Sequence, residues 1–266
     1  MDRWLPPNAA AHGAQIDAAL SWVHLLMAAV FAIGLAFFLT ALWRFRRSRH
    51  PAASHAGLTG RFPAWLEAAV VVAEGALLVG VSMPLWAARV ERIPPERDAV
   101  VVRVVSEQFA WNVHYPGPDG RFGRTALHLI DLQRNPLGLD RADPAAADDV
   151  TTVNQLYLPV DRPVIVHLSS KDVIHSFNVP QFRIKQDAVP GLSIPVWWVP
   201  TVTTEEMRRR LGQPGFVYEI ACAQLCGAGH YRMRGFVTVL EQDEFKTWLE
   251  GQVADPPPTS LLTPAD

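Results

Sequence analysis

The stretch AVVVRVVSEQFAWNVHY, residues 99–115, is rich in β-branched and aromatic side chains, which favour β-strands. Further short runs of the same kind follow it along the chain. They are RPVIVHLSS (162–170), IHSFNVP (174–180), LSIPVWWVP (192–200), FVYEIA (216–221) and RGFVTVL (234–240). Many of these runs are bounded by Gly, Pro, Asn or Asp, as strands commonly are. The spacing predicts an all-β sandwich or barrel over residues 95–250.

Two segments of this region carry helix signals instead. TTEEMRRRLG, residues 203–212, ends on a glycine, and DEFKTWLE covers residues 243–250. NPLGLDRADPAAADD, residues 135–149, has no periodicity and predicts a long surface loop. The end of the chain, residues 251–266, is rich in proline and is predicted to be disordered.

Two long apolar runs precede the β region. AALSWVHLLMAAVFAIGLAFFLTALW, residues 18–43, and WLEAAVVVAEGALLVGVSMPLWAA, residues 65–88, are each long enough to cross a bilayer as a helix. The first run is too long for a signal peptide and starts too late, so we expect it to be retained. The two runs therefore predict that residues 18–90 form a two-helix transmembrane hairpin, and that residues 1–17 form an outer segment.

The linker between these runs, RFRRSRHPAASHAGLTGR, contains five arginines and no acidic residue. The positive-inside rule places such a loop in the cytoplasm. Both termini and the β region then lie on the periplasmic side of a bacterial inner membrane. Tryptophans near the expected ends of the helices fit an interfacial aromatic belt; they are Trp4, Trp22, Trp43, Trp65 and Trp86. Membrane lipid is thus a partner, and the formal net charge of −2 argues against nucleic acid.

Two carboxylates interrupt the second apolar run. Glu67 lies near its start and Glu74 nearer its middle. A carboxylate in a membrane helix is costly and often marks a proton or ion path. The alternatives are an interfacial residue for Glu67 and a neutral, hydrogen-bonded side chain for Glu74. The helix pattern alone leaves both alternatives open.

The only two cysteines stand in CAQLCGAGHYRM, where Cys222 and Cys226 are followed by His230 and Met233. A disulfide is one alternative, since the periplasm permits it. The continued spacing, C-x3-C-x3-H-x2-M, favours a metal site instead. His175 begins a strand-like run in a distant segment, and a β-sandwich could bring this second imidazole to the same place.

The donor types narrow the choice of metal. Two thiolates, two imidazoles and a thioether favour copper over calcium or magnesium, and zinc would not call for the methionine. A one-copper blue site needs a single cysteine. The extra cysteine indicates two coppers bridged by two sulfurs, with Met233 and a backbone carbonyl in the weak positions. A copper chaperone remains the nearest rival, because its ligands overlap with these.

On these motifs the sequence resembles subunit II of the haem–copper respiratory oxidases of the cytochrome c oxidase type, from the first apolar run to about residue 250. The most specific parts are KDVIHSFNVPQFRIKQDAVPG (171–191) and CAQLCGAGHYRMRG (222–235). The resemblance implies a cupredoxin-like Greek-key sandwich after the membrane helices. It also implies a binuclear CuA centre, whose ligands are His175, Cys222, the Gln224 backbone carbonyl, Cys226, His230 and Met233.

The same resemblance implies partners and a role. A c-type cytochrome would donate electrons to CuA, and haem in subunit I would receive them for oxygen reduction coupled to proton translocation. Subunit III is a further expected partner. The rival readings are a membrane-tethered copper carrier or chaperone without an oxidase, and nitrous oxide reductase, which shares the motif but needs a large additional catalytic domain.

Several positions differ from the family pattern or need a separate assignment. Gln224 stands where the family often has a glutamate that helps bind magnesium at the subunit I interface, and an amide is a poorer ligand for a hard cation. The sequence QFAW replaces the common QWYW, so Phe109 and Trp111 are the candidates for the residue that receives the electron. Glu67 matches a family glutamate at the mouth of a proton channel. Asp187 is expected to contact subunit I.

Overall fold

The computed structural model describes residues 4–52, 55 and 60–254. Its contacts divide the chain into two compact units. One unit consists of Ala14–Ala88, and the other begins at Arg89 and includes the residues before Ala14.

The first unit is helical. Helix α1 spans Gly13–Arg44, and helix α2 spans Phe62–Leu77. A π-helical turn, Leu78–Ser82, joins α2 to helix α3 at Met83–Val90. Pro84 explains this turn, because its ring clashes with the carbonyl four residues earlier and the helix widens to relieve the clash.

Both helical spans are long and apolar enough to cross a membrane. The most apolar stretch of Gly13–Arg44 has a mean hydropathy of 2.5, and that of Phe62–Val90 has 1.9. Neither stretch is buried against other parts of the described structure. Large side chains such as Phe31, Phe37 and Val72 are exposed along them. Exposing this much apolar surface to water is unfavourable, so we expect lipid or another protein to surround these helices. Most of residues 53–59 in the arginine-rich linker lie outside the described residues.

Within its described residues, the second unit contains ten strands and two α-helices, besides short 3-10 turns. The strands are β1 (Val100–Glu107), β2 (Ala110–Tyr115), β3 (Val150–Val153), β4 (Gln155–Pro159), β5 (Val164–Ser170), β6 (His175–Val179), β7 (Ile184–Ala188), β8 (Ile194–Trp198), β9 (Tyr218–Cys222) and β10 (Arg234–Leu240). Helix α4 spans Thr204–Leu211, and helix α5 spans Gln242–Ala254. The runs predicted from the sequence as strands all contain strands.

These strands form a sandwich of two five-stranded sheets. The order is β3-β2-β1-β5-β8 in one sheet and β4-β10-β9-β6-β7 in the other. The chain crosses repeatedly between the sheets, as in a Greek key, which makes β1 parallel to β5 and β4 parallel to β10. Alternation along β1 buries Val102 and Val104 while Arg103 points outward. The core between the sheets contains Trp111, Phe177 and Trp198, all fully buried.

Both predicted helices of the β region are present. The Thr203 hydroxyl accepts a hydrogen bond from the Glu206 backbone N–H and caps the start of α4. Gly212 ends this helix in the left-handed conformation, at φ 64°. Helix α5 continues to Ala254, so the prediction of disorder was wrong for residues 251–254. Val253 packs against the hydrophobic core together with Trp248 and Leu249, which explains this extension. Residues 255–266 lie outside the described residues.

The segment before α1 is part of the β domain rather than a separate outer segment. Ala9 and Ala10 are fully buried, and Ala10 forms a β-bridge with Pro200. The Ala9 backbone donates to the Gln181 carbonyl over 2.8 Å, and the Thr201 backbone donates to the Ala9 carbonyl over 2.9 Å. The residues around this contact, 9–11, are small, which allows the close packing but gives no strand signal.

The long irregular segment between β2 and β3, residues 116–149, is attached to the core by a buried pair. His114 Nε2 lies 2.7 Å from Asp149 Oδ2, and both side chains are almost completely buried. The same carboxylate oxygen accepts the Gly123 backbone N–H over 2.8 Å. One carboxylate therefore connects the end of the segment to its beginning and to β2.

We predict that Asp149→Ala lowers the free energy of unfolding of the β domain by about 3 kcal/mol, because it leaves a buried imidazole and a buried N–H without an acceptor. Chemical denaturation of the full chain in detergent, followed by the signal of the buried tryptophans, measures this change. Asp98→Ala, which removes an exposed carboxylate, is the matched control, with an expected change within about 0.5 kcal/mol. Equal losses in the two variants would contradict the role of Asp149.

Candidate metal centre

Three connections between strands meet at one end of the sandwich. They are the β1–β2 turn, the β5–β6 connection at residues 171–174, and the β9–β10 loop at residues 223–233. Because β1 and β5 are parallel, they end at the same edge. Phe177 of β6 pairs with Cys222 at the end of β9, which places the start of β6 beside the cysteine loop. The topology thus brings His175 to Cys222, as the sequence analysis anticipated for a β-sandwich.

The two cysteines face each other without a bond. Their Sγ atoms are 3.8 Å apart, whereas a disulfide bond measures ~2.05 Å. Both are free thiols, and Cys226 is buried while Cys222 is partly exposed. Cys222 and Cys226 therefore do not form a disulfide in this structure.

Cys222 has its own pair of neighbouring donor atoms. His175 Nδ1 lies 3.9 Å from its sulfur, and the Gln224 backbone carbonyl lies 3.2 Å from it. The Gln224 side chain is exposed, so only its main chain faces the cysteine.

Cys226 has a second, separate pair. His230 Nδ1 lies 3.6 Å from its sulfur, and Met233 Sδ lies 3.7 Å from it. Each thiol therefore has one imidazole nitrogen and one weak donor beside it. His175, Cys226 and Met233 are buried, and His230 is half-buried.

The donor set fits copper. The ligand atoms of His175, Cys222 and Cys226 lie within 4.8 Å of one another, and His230 falls outside this group. Metal–nitrogen and metal–sulfur bonds of ~2.0–2.3 Å would hold all donors of one tetrahedral ion within ~3.8 Å of one another. The donor types, which are two thiols, two imidazoles and a thioether, are those that copper prefers.

Burial controls the protonation of these thiols. It raises the pKa of the Cys226 thiol to about 11, and the adjacent Cys222 adds to this effect. The thiol is consequently protonated at neutral pH when no metal is bound. Metal binding must then displace the proton, since the thiolate is the ligand form.

Asp172 orients the His175 ring. His175 Nε2 lies 2.9 Å from Asp172 Oδ1, so the ring N–H points to the carboxylate and Nδ1 is left free to face Cys222. Burial acts to raise the pKa of Asp172, but hydrogen bonds from His175 and from the Gln108 and Val173 backbones outweigh it, and the pKa is lowered. The Asp172 carboxylate is therefore ionised at neutral pH and can only accept hydrogen bonds. Sequence reasoning missed this residue, although its position three residues before a ligand was a usable signal.

The glycines of the cysteine loop allow the β1–β2 turn to pack on it. A Cβ atom at Gly229 would lie 2.5 Å from the Phe109 ring, and one at Gly227 would lie 2.7 Å from Gln108 Nε2. Gly227 also has a φ of 128°, which side chains disfavour. The Gln108 side chain donates to the Cys226 carbonyl across this contact. Gln108 is a second site residue that the sequence analysis did not single out.

The remaining candidates occupy different positions. Phe109 is half-buried over the cysteine loop, and Trp111 is fully buried with its ring 6.2 Å from that of His175. Asp187 lies exposed on β7, in register with Ser176. Glu67 and Glu74 are exposed on α2, in the other unit.

Comparison with known proteins identifies the family. Residues 100–240 match the family described as "Cytochrome C oxidase subunit II, periplasmic domain". The chain is 33% identical over 250 residues to the alternative cytochrome c oxidase subunit 2 of Bradyrhizobium diazoefficiens, across 94% of this chain and 84% of that protein.

Two further relatives are more distant. The chain is 29% identical to the heme-copper oxidase subunit 2 of Aeropyrum pernix, across 79% of this chain and 78% of that protein. It is 28% identical to the cytochrome c oxidase subunit 2 of Cereibacter sphaeroides, across 92% and 78%. Together with the membrane-length helices and the cupredoxin-like sandwich, these matches show that the chain belongs to the cytochrome c oxidase subunit II family, as a membrane-anchored subunit of an oxidase complex with a periplasmic β domain.

Proposed function

We propose that the cysteine loop and His175 hold a binuclear CuA centre, which accepts electrons from a c-type cytochrome and passes them to haem in subunit I. The observation that carries this proposal is the pairing of each thiol with its own imidazole and its own weak donor. A copper carrier without an oxidase is disfavoured, because the chain belongs to an oxidase subunit family.

Six groups would hold the two coppers. They are the side chains of His175, Cys222, Cys226, His230 and Met233 and the backbone carbonyl of Gln224. When bound, copper would supply a one-electron carrier. The protein holds the donors in place beforehand: burial of His175 and Met233 excludes water, and β6, β9 and β10 fix the backbone around them. Donors held in this way change position little between oxidation states, which favours fast electron transfer.

The surface beside the ligands is apolar, which supports docking of a redox partner there. Leu225 and Tyr231 adjoin ligand residues and are 78% and 84% exposed. Val173 and Ile174 precede His175 and are also exposed. Residues 95–266 contain 21 acidic and 16 basic residues, a net charge of −5 that would steer a basic cytochrome over longer distances.

Two aromatic residues remain candidates for the electron path into the centre. Phe109 packs against Gly229 in the cysteine loop, and Trp111 contacts the ring of His175 from the core side. We favour the Phe109 side as the point where the electron enters, because Trp111 is buried within the sandwich.

The arrangement in the membrane and the complex is also part of this proposal. We propose that residues 18–90 form a hairpin with a cytoplasmic arginine-rich loop, and that both termini lie on the periplasmic side of a bacterial inner membrane. Subunits I and III are the expected neighbours, with Asp187 contacting subunit I and Glu67 at the mouth of a proton channel. The exposed Gln224 amide makes a magnesium ion at that interface the least supported element.

Copper content tests the central proposal. The full chain, purified metal-free and reloaded, should bind two coppers and turn purple. Metal analysis and optical spectroscopy measure both properties. One copper per chain with a blue-type spectrum would overturn the binuclear assignment.

The role of Met233 is tested by Met233→Leu. A thioether in a weak position tunes the metal more than it holds it. The variant should therefore retain two coppers while its reduction potential changes, as measured by metal analysis and redox titration. Complete loss of copper would show that Met233 is a principal ligand.

A further inference from the structure

We infer that Asp172 and Gln108 are positioning residues that form one hydrogen-bonded relay between His175 and the cysteine loop. The inference rests on the copper site proposed above. It concerns how His175 and the cysteine loop, which are far apart in the chain, are held in position relative to each other when no metal is bound.

The first half of the relay joins His175 to the β1–β2 turn. Asp172 Oδ1 accepts the hydrogen of His175 Nε2 over 2.9 Å, and Asp172 Oδ2 accepts the Gln108 backbone N–H over 2.8 Å. The Val173 backbone N–H also donates to Oδ1, over 2.6 Å. A carboxylate with these donors has a fixed orientation, and it fixes the ring that depends on it.

The second half joins the same turn to the cysteine loop. The Gln108 side-chain N–H donates to the Cys226 carbonyl, and a Cβ atom at Gly227 would lie only 2.7 Å from Gln108 Nε2. Gln108 thus binds Asp172 through its main chain and Cys226 through its side chain. The path from His175 to Cys226 therefore runs through two residues, neither of which is a ligand.

The turn itself is held from outside the relay. The Lys171 ammonium lies 2.7 Å from Glu107 Oε2, with both side chains largely shielded from solvent. The Asn112 amide donates to Glu107 Oε1 over 2.9 Å, and the Lys171 backbone donates to the Ser106 carbonyl over 3.0 Å. Gln108 is consequently attached to a fixed support rather than to a free loop.

The relay has a defined effect on the ligands. The Asp172 acceptor keeps the His175 proton on Nε2, so Nδ1 presents its lone pair towards Cys222. The Gln108 amide sets the position of the Cys226 backbone relative to that imidazole. Loss of either contact should therefore have the same consequence: the position of the His175 ring relative to the two sulfurs becomes less fixed.

Copper retention tests the relay in the full chain. After loading with copper, release to a chelator is timed for Asp172→Ala, Gln108→Ala and the double variant. We expect each single variant to release copper about 10–100-fold faster, as is typical when a group that orients a ligand is removed. The double variant should be little faster than the worse single variant, since both changes break one path. Additive effects, or unchanged release, would overturn the relay.

Matched variants separate the relay from general damage to the fold. Asp131→Ala is the control, because this exposed carboxylate also accepts two backbone N–H groups, from Gln133 and Arg134, outside the β1–β2 turn. It should release copper like the unchanged chain. Gln108→Glu keeps the side-chain size but removes the donor, and it should behave like Gln108→Ala. Behaviour like the unchanged chain would contradict the contact to Cys226.

A metal-free measurement distinguishes failure of the relay from failure of the copper proposal. Nitrogen NMR of the histidine-labelled, metal-free full chain reports which ring nitrogen of His175 carries the proton. The unchanged chain should hold it on Nε2, and Asp172→Ala should give a mixture, with Asp172→Asn partly restoring the Nε2 form. If the unchanged chain binds no copper, the function is wrong and this readout still decides the relay. A mixture already present in the unchanged chain would overturn it.

Discussion

The contact of two unbonded thiols at 3.8 Å, in a largely buried site, is the constraint on which this end of the molecule depends. Sulfur atoms at this separation are not joined by a bond. The surrounding backbone must therefore hold them close together. The cysteines come from the end of β9 and from the loop after it, and the imidazole facing the first comes from β6. Only a fold that brings these connections to one edge can satisfy all of the donors, and the parallel pairing of β1 with β5 supplies the support beneath them.

Rigidity at this edge comes from contacts within the protein itself. Phe109 lies on a glycine that leaves no room for a side chain, and Trp111 fills the space below His175. The cysteine loop and His175 are thus each packed against an aromatic ring. Such confinement keeps a metal-binding loop in one arrangement even when the thiols are protonated, and this arrangement lowers the cost of ordering the site when the ion binds.

Much of the architecture was predictable because it depends on local patterns. Short β-branched runs with turn residues between them marked the strands, and the long apolar runs marked the membrane helices. The spacing of Cys222, Cys226, His230 and Met233 marked the donors of the loop, and the family resemblance supplied Gln224. The rest was not local. Nothing in the sequence near Gln108 indicates that its side chain reaches the Cys226 carbonyl, and the small residues around Ala9 give no strand signal although they pair with Gln181 and Thr201.

The burial of the segment before α1 has a consequence for biosynthesis. Ala9 precedes α1 in the chain, yet its backbone partners Gln181 and Thr201 follow most of the strands of the β domain. Contacts this distant in sequence form late and slow the folding of a domain. The segment before α1 can therefore complete its backbone pairing only after the chain has been synthesised as far as Thr201. The segment before α1 is thus joined to the sandwich later than its position in the chain would indicate.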